Sequence, residues 1–99
     1  MHYVVLGYDG DDEQAAQRRA AAREEHLAGA AELHQDGTLL FAAGILDKSG
    51  ALVGSMMVFD FESSEELDHY LEAEPYVTGQ VWERVEFCRV QVAPFCLPT

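Results

Sequence analysis

Two arginines and a histidine on one predicted helix are the residues best suited to chemistry in this sequence. Arg19, Arg23 and His26 are separated by four and three residues, so they lie within roughly 60° of one another on an α-helix. Neither arginine has a carboxylate three or four residues away, and neither does Arg18. Stacked like charges destabilise a helix by about 0.2–0.5 kcal/mol per pair, so groups outside the helix should compensate them. Those groups are either carboxylates elsewhere in the chain or an anion bound beside an acid/base residue, and both can be present.

His26 is the candidate general base and acid. An imidazole can take up and return a proton at neutral pH, and a carboxylate partner fixes its tautomer and raises its basicity. Such a pair favours proton abstraction next to a carbonyl group or from a phenol. The alternative is a structural histidine at the edge of an apolar helix face. The other histidines, His2, His34 and His69, are interpreted as surface or packing residues.

Several other chemistries lack their characteristic residues. The sequence has no glycine-rich phosphate loop, no G-x-S-x-G element and no H-E-x-x-H element. Neither Cys88 nor Cys96 has an evident base partner, and their spacing indicates reduced thiols rather than a disulfide or a zinc site. A metal held by His26 with Asp9 or Glu74 would lack a third ligand. We therefore expect chemistry without a metal or a cofactor.

Charge and composition restrict the class of protein further. The chain has 99 residues, of which 48% are hydrophobic, and this predicts a single globular domain over residues 1–99. Its formal net charge of −12 opposes binding to nucleic acid and to anionic membranes. The sequence shows no basic leader and no apolar run of membrane-spanning length. We expect a soluble, cytoplasmic protein.

The pattern of apolar residues predicts six elements in the order β-α-β-β-α-β. They are a strand over 2–8, a helix over 13–35, strands over 38–46 and 51–61, a helix over 63–73 and a strand over 82–95. The acidic residues within 9–12 supply oxygens that cap the first helix, Ser63 and Glu66 form a capping box, and Pro75 ends the second helix. A turn follows Pro75. Apolar residues change faces within the last strand, which predicts a bulge or a face switch there.

The apolar residues of the helices and strands define the predicted core, and the strands carry more of them than this core can bury. The first helix is expected to face the core with Ala16, Ala20, Leu27, Ala30 and Ala31, and the second helix with Leu67, Tyr70 and Leu71. The strand regions carry more large apolar residues than one sheet face can bury, namely Phe41, Met57, Phe59, Phe61, Phe87 and Phe95. The predicted fold is an α+β, ferredoxin-like domain in which two helices cover one face of a four-stranded antiparallel sheet. We expect a homodimer to cover the other face.

Short motifs along the chain resemble, in order, those of the YciI-like, or YCII-related, family. They are Tyr3-Val4-Val5 followed by Asp9, Arg23-Glu24-Glu25-His26-Leu27, Gly37-Thr38-Leu39-Leu40 with Ala43-Gly44, Gly54-Ser55, Phe61-Glu62-Ser63, Glu74-Pro75-Tyr76-Val77 and Val92-Ala93-Pro94-Phe95. The resemblance implies a dimeric α+β barrel, an architecture related to that of muconolactone isomerase and of small cofactor-free monooxygenases. It also implies acid/base chemistry by a His–Asp pair, because one family type is associated with dehydrochlorination of a chlorinated hydroxyquinol.

The resemblance suggests roles for individual residues. His26 falls on the family histidine and Arg23 on the arginine three positions before it, whereas Glu74-Pro75-Tyr76 stands where the family has Asp-Pro-Tyr/Phe. Asp9 matches a family aspartate, so either Glu74 or Asp9 is the expected partner of His26. Ser55 matches a family hydroxyl that would hydrogen-bond the substrate.

The resulting hypothesis is an acid/base enzyme of the lyase or isomerase type that acts on a small anionic or phenolic molecule. The predicted catalytic residues are His26 with Glu74 or Asp9, and the predicted substrate-binding residues are Arg19, Arg23, Ser55 and Tyr76. Two alternatives stay open. One is a non-catalytic ligand-binding or interaction module, and the other is a cofactor-independent monooxygenase.

Overall fold

A computed structural model describes residues 1–97, and its helices and strands follow the predicted β-α-β-β-α-β order. They are β1 (His2–Asp9), α1 (Ala15–Gln35), β2 (Leu39–Leu46), β3 (Leu52–Asp60), α2 (Ser64–Ala73), α3 (Pro75–Thr78) and β4 (Trp82–Val90). The strands form an antiparallel sheet in the order β2-β3-β1-β4, and the helices lie on one of its faces, so the predicted ferredoxin-like arrangement is confirmed. None of the helices within residues 1–97 combines the length and the hydrophobicity needed to cross a membrane.

The core lies between the helices and the sheet. Its largest fully buried side chains are Tyr76, Phe59, Met57, Leu67, Val5 and Val81. Three members of the predicted apolar surplus, Met57, Phe59 and Phe61, fill this core, whereas Phe41 is 55% exposed. Phe41 is paired with Val58 on the face of the sheet that carries no helix. That face therefore presents Phe41, together with the partly buried Met56 and Val58, to solvent in a single chain.

Helix α1 differs from its prediction in both its start and its inward face. It begins at Ala15 rather than at residue 13, and its N-cap residue, Gln14, makes no side-chain capping hydrogen bond. The Asp12 carboxylate instead accepts the Gln14 N–H at 3.2 Å and forms two hydrogen bonds with Arg18, at 2.8 and 2.6 Å.

The predicted inward face of α1 was wrong for Ala16, Ala20, Leu27 and Ala31, which are exposed, and right for Ala30, which packs on the core. The face that packs on the core carries Ala22, His26, Ala30 and Leu33, whose spacing of four, four and three residues follows one side of a helix. His26 is the buried residue of this helix. The helix is thus rotated so that His26 and Leu33, rather than Leu27, point toward the sheet.

The connection between α2 and β4 contains a short helix where the sequence predicted a turn. Ser63 caps α2 as predicted, with its Oγ accepting the Glu66 N–H at 3.3 Å. Helix α2 ends at Ala73, because Pro75 restricts the preceding residue, Glu74, to an extended backbone conformation. Pro75 then occupies the first position of α3, where its missing N–H is tolerated.

Strand β4 ends at Val90 rather than at residue 95, and its bulge lies at its first residues. Trp82 is paired with Asp9 and Arg84 with Tyr8, so Glu83 is the extra residue. Farther along, the pairing is regular up to Val90, and apolar residues simply occupy both faces. The bulge therefore exists, but not at the place where the sequence pattern indicated it. Its effect is to turn Trp82 toward the helices.

Candidate functional site

The central feature of the site is a buried pair formed by His26 and Glu74. A hydrogen bond joins Nδ1 of His26 to Oε1 of Glu74, and the two residues are only 7% and 5% exposed. The same carboxylate oxygen accepts the N–H of Tyr76 at 3.2 Å, so Glu74 caps α3 while it holds the imidazole. Of the two carboxylates that the sequence left open as partners of His26, the structure brings Glu74 to the ring.

The ring of His26 is held on its faces and edges as well. The Tyr76 ring stacks on it, with centroids 3.8 Å apart and planes inclined by 8°, and the Trp82 ring approaches edge-on at 6.0 Å. Because Glu74 engages Nδ1, the proton of the neutral ring is favoured on Nδ1, and Nε2 is left as an acceptor. Nε2 makes no hydrogen bond to any residue within 1–97. The arrangement suits a base whose lone pair is available to a ligand.

Asp9, the other candidate carboxylate, is paired with Arg19. Nη1 of Arg19 lies 3.0 and 2.9 Å from the two carboxylate oxygens, and both side chains are largely buried. Nη2 of Arg19 donates to the Gly54 carbonyl oxygen at 3.3 Å, and the guanidinium lies over the Tyr76 ring at 4.9 Å. Tertiary salt bridges thus compensate Arg19, and the Arg18 pair with Asp12 does the same at the surface.

Among the arginines of α1, Arg23 is the one whose charge no carboxylate within residues 1–97 compensates. It forms no salt bridge with any residue in the described part of the chain. Its side chain borders the same cleft as His26 and Tyr76. Arg23 therefore supplies a positive charge that a bound anion or a developing negative charge could meet.

Ser55 and Trp82 form the sheet side of the site. The indole Nε1 of Trp82 donates to Oγ of Ser55 at 3.2 Å, and both residues are buried. Sequence reasoning found Ser55 but missed Trp82. The one signal for Trp82 was its place at the start of a strand with a predicted bulge, and that signal does not say which way the indole points.

Two tyrosines beside the pair, the buried Tyr76 and the partly buried Tyr70, stay uncharged at neutral pH. Burial raises the pKa of Tyr76, although the charges of Arg19 and Arg23 partly oppose this rise. Burial also raises the pKa of Tyr70, and the neighbouring Glu74 carboxylate raises it further. Both phenols therefore keep their protons beside Glu74 and His26, and neither is a base at neutral pH.

A cleft of about 220 Å³ opens above these residues. We call it the His26 cleft; its lining residues are Arg19, Arg23, His26, Leu27, Ala42, Ala43, Gly44, Leu52, Ser55, Met56, Met57 and Tyr76. Polar groups from α1, α3 and β3 meet apolar side chains from the β2–β3 hairpin. Of the predicted site residues, His26, Arg19, Arg23, Ser55 and Tyr76 line it, while Glu74 and Asp9 support it from behind. Within residues 1–97, no three His, Cys, Asp or Glu side chains come together to hold a metal ion.

The fold and the site define a small ferredoxin-like α+β domain with a histidine–carboxylate pair in a cleft. The profile of the YCII-related domain matches residues 1–91. Protein YciI of Escherichia coli O6:H1 is 33% identical over 91 residues, which cover 86% of this chain and 91% of that protein, and Protein YciI of Shigella flexneri matches equally. The chain belongs to the YCII-related domain family.

Solved structures with the same fold extend the comparison. The 5-chloro-2-hydroxyhydroquinone dehydrochlorinase of Burkholderia phenoliruptrix AC1100, in complex with 2,5-dihydroxybenzoquinone, superposes with a TM-score of 0.81 at 17% identity, over 96% of this chain and 98% of that chain. An uncharacterised NIPSNAP domain protein from Burkholderia xenovorans superposes with a TM-score of 0.52 at 15% identity, over 99% of this chain and 100% of that chain. At these identities the similarity establishes the fold alone.

Proposed function

We propose that this protein is a cofactor-free acid/base enzyme of the lyase or isomerase type, acting on a small anionic or phenolic molecule. The observation that carries the proposal is the buried His26–Glu74 pair, which leaves Nε2 of the imidazole as the acceptor at the edge of a cleft. The Glu74 carboxylate fixes the tautomer and the orientation of the ring, which is the support that a general base requires. Asp9 serves the site indirectly by holding Arg19.

The chemical step begins with proton transfer to Nε2 of His26. The proton comes from a carbon beside a carbonyl group or from a phenolic hydroxyl of the bound molecule, and the Glu74 carboxylate stabilises the imidazolium that forms. Negative charge then develops on a substrate oxygen, where Arg23 and the Ser55 hydroxyl stabilise it. Return of the proton to another atom gives isomerisation, and expulsion of a leaving group gives elimination.

The size and lining of the His26 cleft support a substrate with one ring. Cavities of about 150 Å³ hold a benzene molecule, and this cleft measures about 220 Å³. Leu27 and Leu52 offer apolar contact for a ring, and Arg23 offers a charge for an oxygen. The dehydrochlorinase with the same fold was solved with a dihydroxylated quinone, which has these properties. Arg19, paired with Asp9, is proposed to contact the substrate as a hydrogen-bond donor rather than as a free charge.

We also propose that the protein is a homodimer in which the helix-free face of the sheet is covered by a second copy. Phe41, Val58 and Met56 lie on that face by the strand register. Exposed apolar surface of this kind is commonly covered by a partner.

Isotope exchange distinguishes the proposed function from its alternatives. Phenolic and carbonyl acids with one ring are incubated with the protein in heavy water, and deuterium incorporation is followed by NMR. An acid/base enzyme catalyses incorporation into one of them. A non-catalytic binding module shifts the ligand signals without exchange, and a cofactor-independent monooxygenase consumes oxygen at an electrode. Either of the last two results, without exchange, contradicts the proposal.

A further inference from the structure

The hydroxyl of Ser55 receives hydrogen bonds from two groups that can only donate. Trp82 Nε1 donates to Ser55 Oγ at 3.2 Å, and Nη2 of Arg19 donates to the same oxygen at 3.4 Å. An indole N–H and a guanidinium have no acceptor atom, so the direction of both bonds is fixed by chemistry. A hydroxyl has two acceptor lone pairs and one proton, and here both lone pairs are engaged.

The proton of Ser55 is the part of the hydroxyl that stays available. No acceptor for it exists among the hydrogen bonds of residues 1–97, although Ser55 is only 5% exposed and borders the His26 cleft. A buried hydroxyl proton without an acceptor destabilises the folded protein, and a ligand atom in the cleft can relieve this. That atom must accept a hydrogen bond.

The position of Trp82 is imposed by the backbone around it. The bulge at Glu83 places Trp82 opposite Asp9, on the face of β1 that also carries Gly7. A Cβ added to Gly7 would collide with the Trp82 ring, so the indole packs directly on the backbone of β1. The ring is 6% exposed and is held between this strand, His26 and Tyr76. Its N–H therefore has a fixed direction, toward Ser55.

We infer that Trp82 is a positioning residue that makes Ser55 an obligate hydrogen-bond donor, and that the His26 cleft selects ligands with an oxygen acceptor at this point. The ligand classes that fit are carbonyl compounds, phenolates and carboxylates. A ligand that places an N–H donor at Ser55 is rejected, because two donors would then face each other across a buried contact. The inference rests on the proposed function only in placing the ligand in this cleft.

Binding of three neutral probes of similar shape tests the inference without requiring turnover. Acetophenone presents an oxygen that only accepts, α-methylstyrene replaces that oxygen by an apolar group, and N-methylaniline presents an N–H donor. Ligand-observed NMR titration gives the ratio of their dissociation constants. We expect the wild-type protein to bind acetophenone about three- to tenfold more tightly than α-methylstyrene, and N-methylaniline no more tightly than α-methylstyrene.

Two variants separate positioning from packing. Trp82→Phe keeps an aromatic ring against Gly7 but removes the N–H, so one lone pair of Ser55 is released. We expect N-methylaniline to gain about three- to tenfold over α-methylstyrene in this variant, whereas a mere loss of packing would weaken all three probes alike. Ser55→Ala should abolish the discrimination among them.

Three results would overturn the inference. They are wild-type binding of acetophenone no better than that of α-methylstyrene, wild-type preference for N-methylaniline, and an unchanged N-methylaniline ratio in Trp82→Phe. The outcome is separate from that of the proposed function. Selective binding without isotope exchange would support the inference about Ser55 and contradict the proposed enzymatic activity. Isotope exchange without selective binding would support the enzymatic activity and contradict the inference.

Discussion

The carboxylate of Glu74 holds Nδ1 of His26, although 48 residues separate the two in the chain. Glu74 reaches the ring because Pro75 ends α2 and leaves Glu74 as the N-cap residue of α3. The residue that breaks one helix thus positions the carboxylate that orients the imidazole. A carboxylate placed by a cap rather than by a flexible loop keeps the pair preorganised.

Removing the charge of Asp9 should destabilise the folded protein. Asp9 is the partner of a largely buried guanidinium, and breaking a buried ion pair at one side leaves the other charge uncompensated. We expect Asp9→Asn to lower the free energy of unfolding by about 3 kcal/mol. Urea unfolding at neutral pH measures this. The matched control is Asp60→Asn, whose carboxylate is half exposed, and equal losses in the two variants would contradict the assignment.

Two glycine-to-alanine substitutions with opposite expected effects on stability test whether the indole of Trp82 packs against Gly7. Gly7→Ala brings a methyl group against the indole, so we expect a loss of about 1–3 kcal/mol from overpacking and a change in the emission of Trp82, the single tryptophan. Gly29→Ala lies in helix α1 with open space around it and should stabilise the protein by about 0.5–1 kcal/mol. Stabilisation by Gly7→Ala, or unchanged emission, would show that the indole does not pack there.

Stability at alkaline pH should depend on Tyr70. Its pKa is raised in the folded state, whereas a tyrosine in the unfolded chain ionises near pH 10, so above about pH 10 the folded state keeps a proton that the unfolded chain releases. The stabilisation is complete below about pH 10 and is lost as the pH rises. We expect the free energy of unfolding to fall less steeply between about pH 9 and 11 in Tyr70→Phe than in the wild type. Identical slopes in urea unfolding would contradict the burial of Tyr70.

The proposed dimer should depend on the helix-free face of the sheet. We expect light scattering to give twice the 11.0 kDa mass at micromolar concentration, with an interface larger than about 1,000 Å². Phe41→Glu should dissociate the dimer, because it buries a charge in an apolar contact. Ala31→Glu adds the same charge on the exposed side of α1 and should leave the mass unchanged. A wild-type monomer, or dissociation by Ala31→Glu alone, would contradict this interface.

Anion binding should depend on Arg23. Small carboxylates or phosphate, compared with chloride at equal ionic strength, should raise the melting temperature by binding the native state. Arg23→Ala should abolish this increase, whereas Lys48→Ala, in the β2–β3 loop, should retain it. An identical response in the wild type and Arg23→Ala would mean that the charge of Arg23 does not serve an anion.

Local patterns predicted the fold, while the details of the site depended on contacts between distant segments. Ser63 and Pro75 marked the limits of α2 because capping and proline chemistry are local. The inward face of α1 could not be predicted, since alanines occur on all sides of the helix and its faces differ little in hydrophobicity. It is set by the partners of Arg19 and His26, which lie on β1 and before α3. Trp82 was missed because its direction follows from the bulge that β4 makes against β1.

The most direct test of the account is the dependence of isotope exchange on His26. With a phenolic or carbonyl acid that the wild-type protein exchanges in heavy water, the rates of His26→Gln, Glu74→Gln and His69→Gln are compared after each variant has been shown to be folded. The account predicts that His26→Gln reduces the exchange rate to that of the uncatalysed reaction. Glu74→Gln should lower the exchange rate by no more than about 10⁴-fold. His69→Gln, on the exposed side of α2, should leave the exchange rate unchanged. Exchange that persists in a folded His26→Gln protein would contradict the central claim.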